Sequence, residues 1–138
     1  MSLTVNLNSF SYKKVGIPVD KSGNGGGFVF DCRFIYNPGR EEEFKMLTGK
    51  DPKVIKFLES QKAMKDFLEN VFRIIDPAIE NFLERNFTDL MISFGCTGGQ
   101  HRSVYAAEKT SEHISKKFPE VKIILNHTQI EKGINLGS

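Results

Sequence analysis

Four short apolar segments of the chain have the pattern and length of β-strands. In the first, Leu3, Val5 and Leu7 alternate with polar residues, so one face of the predicted strand is apolar. The third is a continuous apolar run, which is typical of a central strand buried on both faces. The predicted strands are residues 3–10, 28–34, 90–94 and 121–125.

Two longer segments repeat apolar residues every three or four positions, which predicts amphipathic helices. The first extends from Asp51, a predicted N-cap, to about residue 86, and Pro77 is expected to kink it or to start a new helix. The second follows residue 103, and Pro119 stops it. The apolar stripe of the first segment, which we assign to core packing, contains Met64, Phe67, Leu68, Val71, Phe72, Ile75, Ile79, Phe82 and Leu83.

Strands that alternate with helices predict an α/β fold: a single layered domain with a mainly parallel central sheet flanked by helices. A length of 138 residues fits one such domain. The domain is assigned to residues 1–127. Residues 128–138 are polar and without periodicity, and we interpret them as a disordered tail.

Composition excludes several classes of function. The 19 basic and 17 acidic residues leave a net charge of +2, which gives no argument for nucleic-acid or anionic-membrane partners. No apolar stretch is long enough for a transmembrane helix, and the N-terminus does not resemble a signal peptide. Cys32 and Cys96 do not form a disulfide framework, and the three histidines lack metal-ligand spacing. We therefore expect a reduced, cytoplasmic protein with neither metal nor cofactor.

The segment Gly95–Ser103 joins the third predicted strand to the second helix and has the composition of an anion-binding loop. Backbone N–H groups and the helix dipole converge at such a junction. Two glycines permit positive φ and close approach, two hydroxyls and a histidine donate hydrogen bonds, and the arginine fork suits two phosphate oxygens. The alternative is a tight turn whose histidine and arginine pair with carboxylates. The predicted phosphate ligands are Thr97, Gly98, Gly99, His101, Arg102 and Ser103.

Asp31 and Arg33 lie two residues apart near the end of the second predicted strand, so they share a face. They form either an internal ion pair or part of a ligand site at the carboxyl edge of the sheet.

The glycine-rich segment 21–27 lacks the strand–loop–helix context of a nucleotide P-loop, so we expect a flexible loop there. His113, in the second helix, is flanked by polar residues and is predicted to be solvated.

The Gly95–Ser103 loop also matches the C-x5-R-S spacing of cysteine-dependent phosphatases. In those enzymes a thiolate attacks phosphorus while the arginine holds the equatorial oxygens. Here Cys96 would be the catalytic nucleophile and Arg102 the phosphate clamp. Gly95 stands where these phosphatases usually carry histidine, and no general acid is identified beyond residue type.

Residues 95–104, with the sequence GCTGGQHRSV, resemble the G-C-T-G-G-x-H-R-S-V signature of the C-terminal domain of the RapZ family of RNase adapter proteins. Full-length members of that family carry an N-terminal P-loop nucleotide-binding domain. We therefore expect this chain to be a free-standing or excised C-terminal domain, an α/β unit. The resemblance spans about residues 5–127, and the other blocks that agree in order are 16–18, 31–34 with 37–38, and 47–49 with 51–52.

In that family the C-terminal domain binds glucosamine-6-phosphate and mediates self-association and contacts with partner proteins. The resemblance implies the same for this chain. Arg33 and Asn37 match the second block and are expected to line the same pocket. His127, at the end of the last predicted strand, is either a further ligand contact or a surface histidine. The implied sugar-phosphate contacts are Thr97, Gly98, His101 and Arg102.

Two departures from the family affect the functional hypothesis. Gly39 stands where enterobacterial members have histidine, which affects one expected sugar contact. Lys132 is the only basic residue after His127, so the basic tail with which relatives contact RNA is absent. The leading hypothesis is a regulatory module, without catalytic activity, that binds a phosphorylated amino sugar. The alternatives are a cysteine-dependent phosphatase and an RNA-binding adapter.

Overall fold

Residues 2–132, described from a computed structural model, form a four-stranded sheet in the order β2-β3-β1-β4. Every neighbouring pair is parallel, and β1 pairs with β3 from Thr4 opposite Asp89 to Ser11 opposite Cys96. The α/β prediction is confirmed, and the sheet is parallel throughout this part of the chain. The strands are β1 Thr4–Ser11, β2 Phe28–Asp31, β3 Asp89–Cys96 and β4 Lys122–His127.

Three helices accompany the sheet within the described residues. Three short 3₁₀ turns add to them, at Pro38–Arg40, Glu42–Phe44 and Ile130–Lys132. None of the helices is long and apolar enough to span a bilayer. The helices are α1 Pro52–Glu59, α2 Lys62–Glu84 and α3 Arg102–Lys117.

The long predicted helix is divided at Ser60 rather than at Pro77. The Ser60 hydroxyl donates to the Phe57 carbonyl at 2.6 Å, and such a bond competes with the helical backbone pattern. Helix α2 runs through Pro77 without interruption. Pro77 is exposed, and so is Arg73 one turn earlier, so the carbonyl that loses its N–H partner lies on the solvent side.

The hydrophobic core occupies one face of the sheet. Alternate residues of β1 and β3 pack there with the buried residues of α1, α2 and α3. On the opposite face, Asn6, Asn8 and Met91 lie beside the connection between β1 and β2, which contains no helix. Parallel sheets usually carry helices on both faces. The strand residues in the core are Leu3, Val5, Leu7, Leu90, Ile92 and Phe94.

Because all four strands are parallel, their carboxyl ends meet at one edge, where open α/β sheets bind ligands. Strand β2 ends early because the Arg33 backbone N–H turns back to donate to the Asp31 carboxylate at 2.8 Å. The loop after β3 leads from the same edge into α3. The fold therefore brings the glycine-rich loop and the segment after β2 together.

The chain after β4 returns to the sheet. Thr128 donates to the Ser9 carbonyl through its backbone N–H at 3.0 Å and its hydroxyl at 2.8 Å. A 3₁₀ turn follows at Ile130–Lys132. The remainder of the predicted disordered tail, residues 133–138, lies outside the described residues.

Candidate functional site

A cavity of about 280 Å³ opens at the carboxyl edge of the sheet. One wall is formed by residues 33–37 and Arg40, and the other by Thr97 and Arg102. Three of these side chains are arginines, and no carboxylate is among the described residues that line the cavity. Four of the predicted site residues meet here: Arg33, Asn37, Thr97 and Arg102.

Arg102, the first residue of α3, is 4% exposed and uses only one edge of its guanidinium within the protein. Its Nη1 donates to the Arg33 carbonyl at 2.9 Å and to the Ile35 carbonyl at 2.7 Å. Its Nε is buried and has no hydrogen-bond partner in residues 2–132. The edge formed by Nε and Nη2 is the one that takes two oxygens of a phosphate side by side.

A buried N–H without an acceptor costs roughly 1–3 kcal/mol, so such groups are rare in folded proteins. Larger cavities, of about 710, 670 and 470 Å³, lie elsewhere on the molecule. None of them is lined by a buried side-chain atom that lacks a partner in the described chain. The cavity of about 280 Å³ is therefore the best candidate site, because the Nε without a partner belongs to one of its lining side chains.

The glycine-rich loop is fixed against the end of β1. Gly99 has φ +66°, and a Cβ there would lie 2.8 Å from the Ser11 backbone nitrogen. The Ser11 hydroxyl donates to the Thr97 carbonyl at 2.6 Å. Gly98, by contrast, has no positive φ, so the predicted need for that conformation holds only for Gly99. At Gly99, the close approach of β1 is a second reason for glycine.

His101 lies in the protein interior and is not among the residues that line the cavity. It is 3% exposed, and its Nε2 lies 2.8 Å from the Phe44 carbonyl. Burial lowers its pKa below 6.5. The neighbouring Gln100 donates through Nε2 to the carbonyls of Lys45 and Leu47, at 2.7 and 2.8 Å. Both side chains hold the 42–47 segment against the loop.

Cys96 and Ser103 contact each other beneath α3. Their Sγ and Oγ atoms are 3.1 Å apart, and the residues are 2% and 0% exposed. Cys96 belongs to the hydrophobic core, and neither residue is among those that line the cavity. The thiol that a cysteine phosphatase would need is therefore directed into the core. Cys32 is also buried, and burial raises the pKa of its thiol.

Asp31 and Arg33 form the predicted ion pair, and Arg33 also lines the cavity. Arg33 Nη2 lies 2.7 Å from Asp31 Oδ2, and Arg33 Nε lies 3.0 Å from both carboxylate oxygens. These bonds hold the pKa of Asp31 below its usual range. The Arg33 guanidinium also lies over the Tyr12 ring, 3.8 Å from its centroid.

Asn37 shapes the other wall of the cavity. Its Oδ1 accepts from the Gly39 backbone N–H at 2.8 Å and caps the 3₁₀ turn Pro38–Arg40. This turn brings Arg40 to the cavity. Sequence analysis did not single out Arg40, which is followed directly by three acidic residues in a segment whose composition is typical of a solvated surface. The only available signal was its place directly after the Asn-Pro-Gly turn.

His127 is a buried residue away from the cavity. It is 6% exposed, its Nδ1 lies 2.7 Å from the Ser9 hydroxyl, and its Nε2 lies 2.7 Å from the Glu108 carboxylate. These contacts connect β1, β4 and α3. The interpretation as a surface histidine is wrong, and His127 does not line the cavity.

His113 is not simply solvated, contrary to the prediction. Its Nε2 lies 2.8 Å from the Asp76 carboxylate, and its ring stacks on Phe72 with centroids 3.9 Å apart. Asp76 also accepts from Lys117 at 2.9 Å. These contacts join α2 to α3. Elsewhere in residues 2–132, no group of three or more histidine, cysteine or acidic side chains is placed to hold a metal ion.

The known proteins to which this chain is similar are longer than the chain itself. The chain is 38% identical over 133 residues to a nucleotide-binding protein of Caldicellulosiruptor bescii, covering 96% of this chain and 43% of the relative. It is 34% identical over 128 residues to a nucleotide-binding protein of Psychrobacter sp. strain PRwf-1, covering 92% and 39%. The chain thus spans about two fifths of the length of these curated relatives.

The family comparison covers nearly all of the described residues. Residues 3–131 match the RapZ C-terminal domain. The matched region includes both walls of the cavity and all four strands. The resemblance found in the sequence is confirmed, and the chain belongs to the RapZ C-terminal domain family.

Proposed function

We propose that this domain is a regulatory module that binds a phosphorylated small metabolite at the Gly95–Ser103 loop and changes its association with a partner in response. The observation that carries the proposal is the Arg102 guanidinium. It is buried, it lines a cavity rich in arginine, and its Nε lacks an acceptor in residues 2–132.

The phosphate group would occupy the free edge of Arg102. Nε and Nη2 take two of its oxygens, and the Thr97 hydroxyl and the first N–H groups of α3 are close enough in the chain to serve the others. The two carbonyls on Nη1 already hold the guanidinium plane in position. Binding therefore costs little side-chain entropy, which favours affinity.

The organic part of the ligand would face Arg33, Asn37 and the half-exposed Tyr36. Glucosamine-6-phosphate is the first ligand to test, because the family resemblance points to it. A volume of about 280 Å³ lies just below the usual range of small-molecule sites, which favours a sugar phosphate over a whole nucleotide. The proposed response is a change in association with a second copy, or with the additional chain that the longer relatives contain.

The competing functions gain less support. A cysteine phosphatase needs its thiolate at the phosphate, whereas Cys96 packs in the core and contacts Ser103. An RNA adapter needs a wide basic surface, and the net charge is only +2. The arginines at the cavity line a volume suited to a small molecule.

Calorimetric titration tests the proposal directly. We expect saturable binding of glucosamine-6-phosphate, weaker binding of inorganic phosphate and none of glucosamine. Arg102→Lys keeps a positive charge but loses the fork, and we expect it to weaken binding by about 30-fold or more, the equivalent of one charge-assisted hydrogen bond. Arg73→Lys is the matched control, since Arg73 is exposed on α2.

Two results would contradict the proposal. One is the absence of binding by any phosphorylated probe. The other is binding that Arg102→Lys leaves unchanged while circular dichroism shows both variants folded. Turnover of a phosphate ester that Cys96→Ser abolishes would favour the phosphatase instead.

A further inference from the structure

The three arginines at the cavity differ in their partners. Arg33 is paired with Asp31. Arg102 is held only by neutral carbonyls, and the Arg40 side chain makes no hydrogen bond or ion pair with the described residues. The cavity is therefore lined by two arginines that form no ion pair with a carboxylate of residues 2–132, the buried Arg102 and the exposed Arg40.

Arg40 and Arg102 come from opposite walls of the cavity. Arg102 begins α3, whereas Arg40 ends the 3₁₀ turn that Asn37 caps. The Arg40 backbone N–H donates to the Asn37 carbonyl at 3.1 Å, so its main chain is fixed by the turn. The fork of Arg102 is sufficient for one phosphate group, which leaves the Arg40 charge for another part of the ligand.

None of the acidic residues near Arg40 in the described chain forms an ion pair with it. Glu41, Glu42 and Glu43 follow it in the chain, but none of them lines the cavity. Glu42 pairs instead with Lys45 at 2.9 Å. Glu41 and Glu43 form no ion pair with any described residue.

No carboxylate of residues 2–132 lines the cavity, and the nearest acidic residue is already paired. Asp31 is the acidic residue beside the cavity, and it accepts from the Nε, the Nη2 and the backbone N–H of Arg33. A ligand ammonium group would meet Arg40 without a compensating carboxylate, and like charges at close range repel. A second anionic group would meet an unpartnered guanidinium.

We propose that Arg40 forms a second anion subsite, so that this domain prefers a small sugar-type phosphate carrying a second anionic group, a carboxylate or another phosphate. The proposal rests on the proposed function, since it takes the first phosphate to bind at Arg102. It makes Arg40 the residue that determines specificity in this chain. A phosphorylated amino sugar is then the weaker ligand.

Titration with four related ligands tests the subsite. The probes are 6-phosphogluconate and fructose-1,6-bisphosphate, which carry two anionic groups, and glucose-6-phosphate and glucosamine-6-phosphate, which carry one. We expect the first two to bind the unaltered protein roughly tenfold more tightly than glucose-6-phosphate, the usual size of one exposed charged hydrogen bond. Arg40→Gln should remove this preference and leave the affinity for glucose-6-phosphate within about twofold. Arg73→Gln should change nothing.

Three outcomes overturn the subsite. The first is that the unaltered protein binds glucosamine-6-phosphate as tightly as the doubly anionic probes, or more tightly. A uniform loss of affinity for all four probes in Arg40→Gln would place Arg40 on the shared phosphate instead. A preference for double anions that survives Arg40→Gln would assign it to another group. In each case the proposed function stands, whereas the absence of binding by all four probes would contradict the proposed function itself.

Discussion

The two edges of the Arg102 guanidinium differ in their partners within residues 2–132. Nη1 closes the segment after β2 onto α3 by binding two carbonyls, and one of them, that of Ile35, lies 67 residues away in sequence. The opposite edge is left with a buried Nε that has no partner in residues 2–132. A planar side chain with five N–H donors is suited to this division, and lysine is not.

Gly99 is required for both its conformation and its surroundings, and this gives a stability prediction. Gly99→Ala should lower the free energy of unfolding by about 3 kcal/mol or more, because it adds a strained φ and places Cβ 2.8 Å from the Ser11 nitrogen. Urea denaturation measures the change.

The control for this prediction is Gly23→Ala. Gly23 also has a positive φ, +96°, but a Cβ there meets nothing within 4 Å. Its cost should be limited to strain of about 1–2 kcal/mol. Equal losses in the two variants would refute the close approach of the loop to β1.

The sequence indicated which side chains suit an anion site, but it did not indicate which contacts each side chain makes. The loop composition indicated an anion site, and Thr97 and Arg102 line the cavity as expected. His101 and Ser103 have the same local pattern but point to the Phe44 carbonyl and to Cys96. Which side of a loop a residue faces depends on contacts that are remote in sequence, and a local pattern does not contain them.

The 42–47 segment and the start of α3 form one unit through buried hydrogen bonds. His101 and Gln100 supply the donors, and the carbonyls of residues 44, 45 and 47 accept. The same segment follows Arg40 and the cavity wall. The stability of this contact therefore determines how firmly that wall is held.

The buried histidine makes this contact pH-dependent. Burial lowers the His101 pKa below 6.5, and Arg102 nearby also lowers it. Between the folded-state pKa and 6.5, the unfolded chain binds a proton that the folded chain does not. The free energy of unfolding should therefore fall as the pH drops from 7 towards 5, by at most about 1.4 kcal/mol per unit from this residue.

His101→Gln retains a donor for the Phe44 carbonyl but does not titrate. Denaturation curves between pH 5 and 8 should have a shallower slope in this variant than in the unaltered protein. Parallel slopes would mean that His101 takes up its proton equally well in the folded state. The lowered pKa of Asp31 does not interfere, since its contribution is lost only below about pH 4.

The elements themselves were largely predictable, because apolar periodicity follows from burial of one face. The four strands, α3 and the Asp51–Pro52 helix start are close to where the pattern placed them, except that β2 ends at Asp31 instead of residue 34. The division at Ser60 was missed, since it depends on one hydroxyl bond. Asp51 occupies the N-cap position, yet its carboxylate accepts from the Thr48 N–H at 2.7 Å rather than from α1.

At the scale of the whole molecule, one small cavity at the carboxyl edge of the sheet is lined by three arginines and by no described carboxylate, although the net charge is only +2. The all-parallel sheet accounts for this, because it brings the ends of β1, β2 and β3 together at the site. The order of strands and helices along the chain predicted the fold class. It did not predict that the described helices cover only one face of the sheet.

This charge distribution predicts how the protein responds to salt. A labelled single-stranded oligoribonucleotide should not bind measurably at 150 mM salt, whereas the phosphorylated metabolite should remain bound. Fluorescence anisotropy and calorimetry at several salt concentrations make the comparison. Binding of the RNA with a steep salt dependence, as multiple phosphate contacts produce, would support the adapter alternative.

The central claim is that a phosphate group binds the free edge of Arg102, and ¹H–¹⁵N NMR of the arginine Nε–H groups tests it most directly. Arg102→Lys identifies the Arg102 signal by its loss. On titration with inorganic phosphate, that signal should shift saturably downfield, while those of Arg73 and Arg85, which are exposed and do not line the cavity, stay in place. An Arg102 signal that does not move while phosphate shifts other resonances would contradict the account.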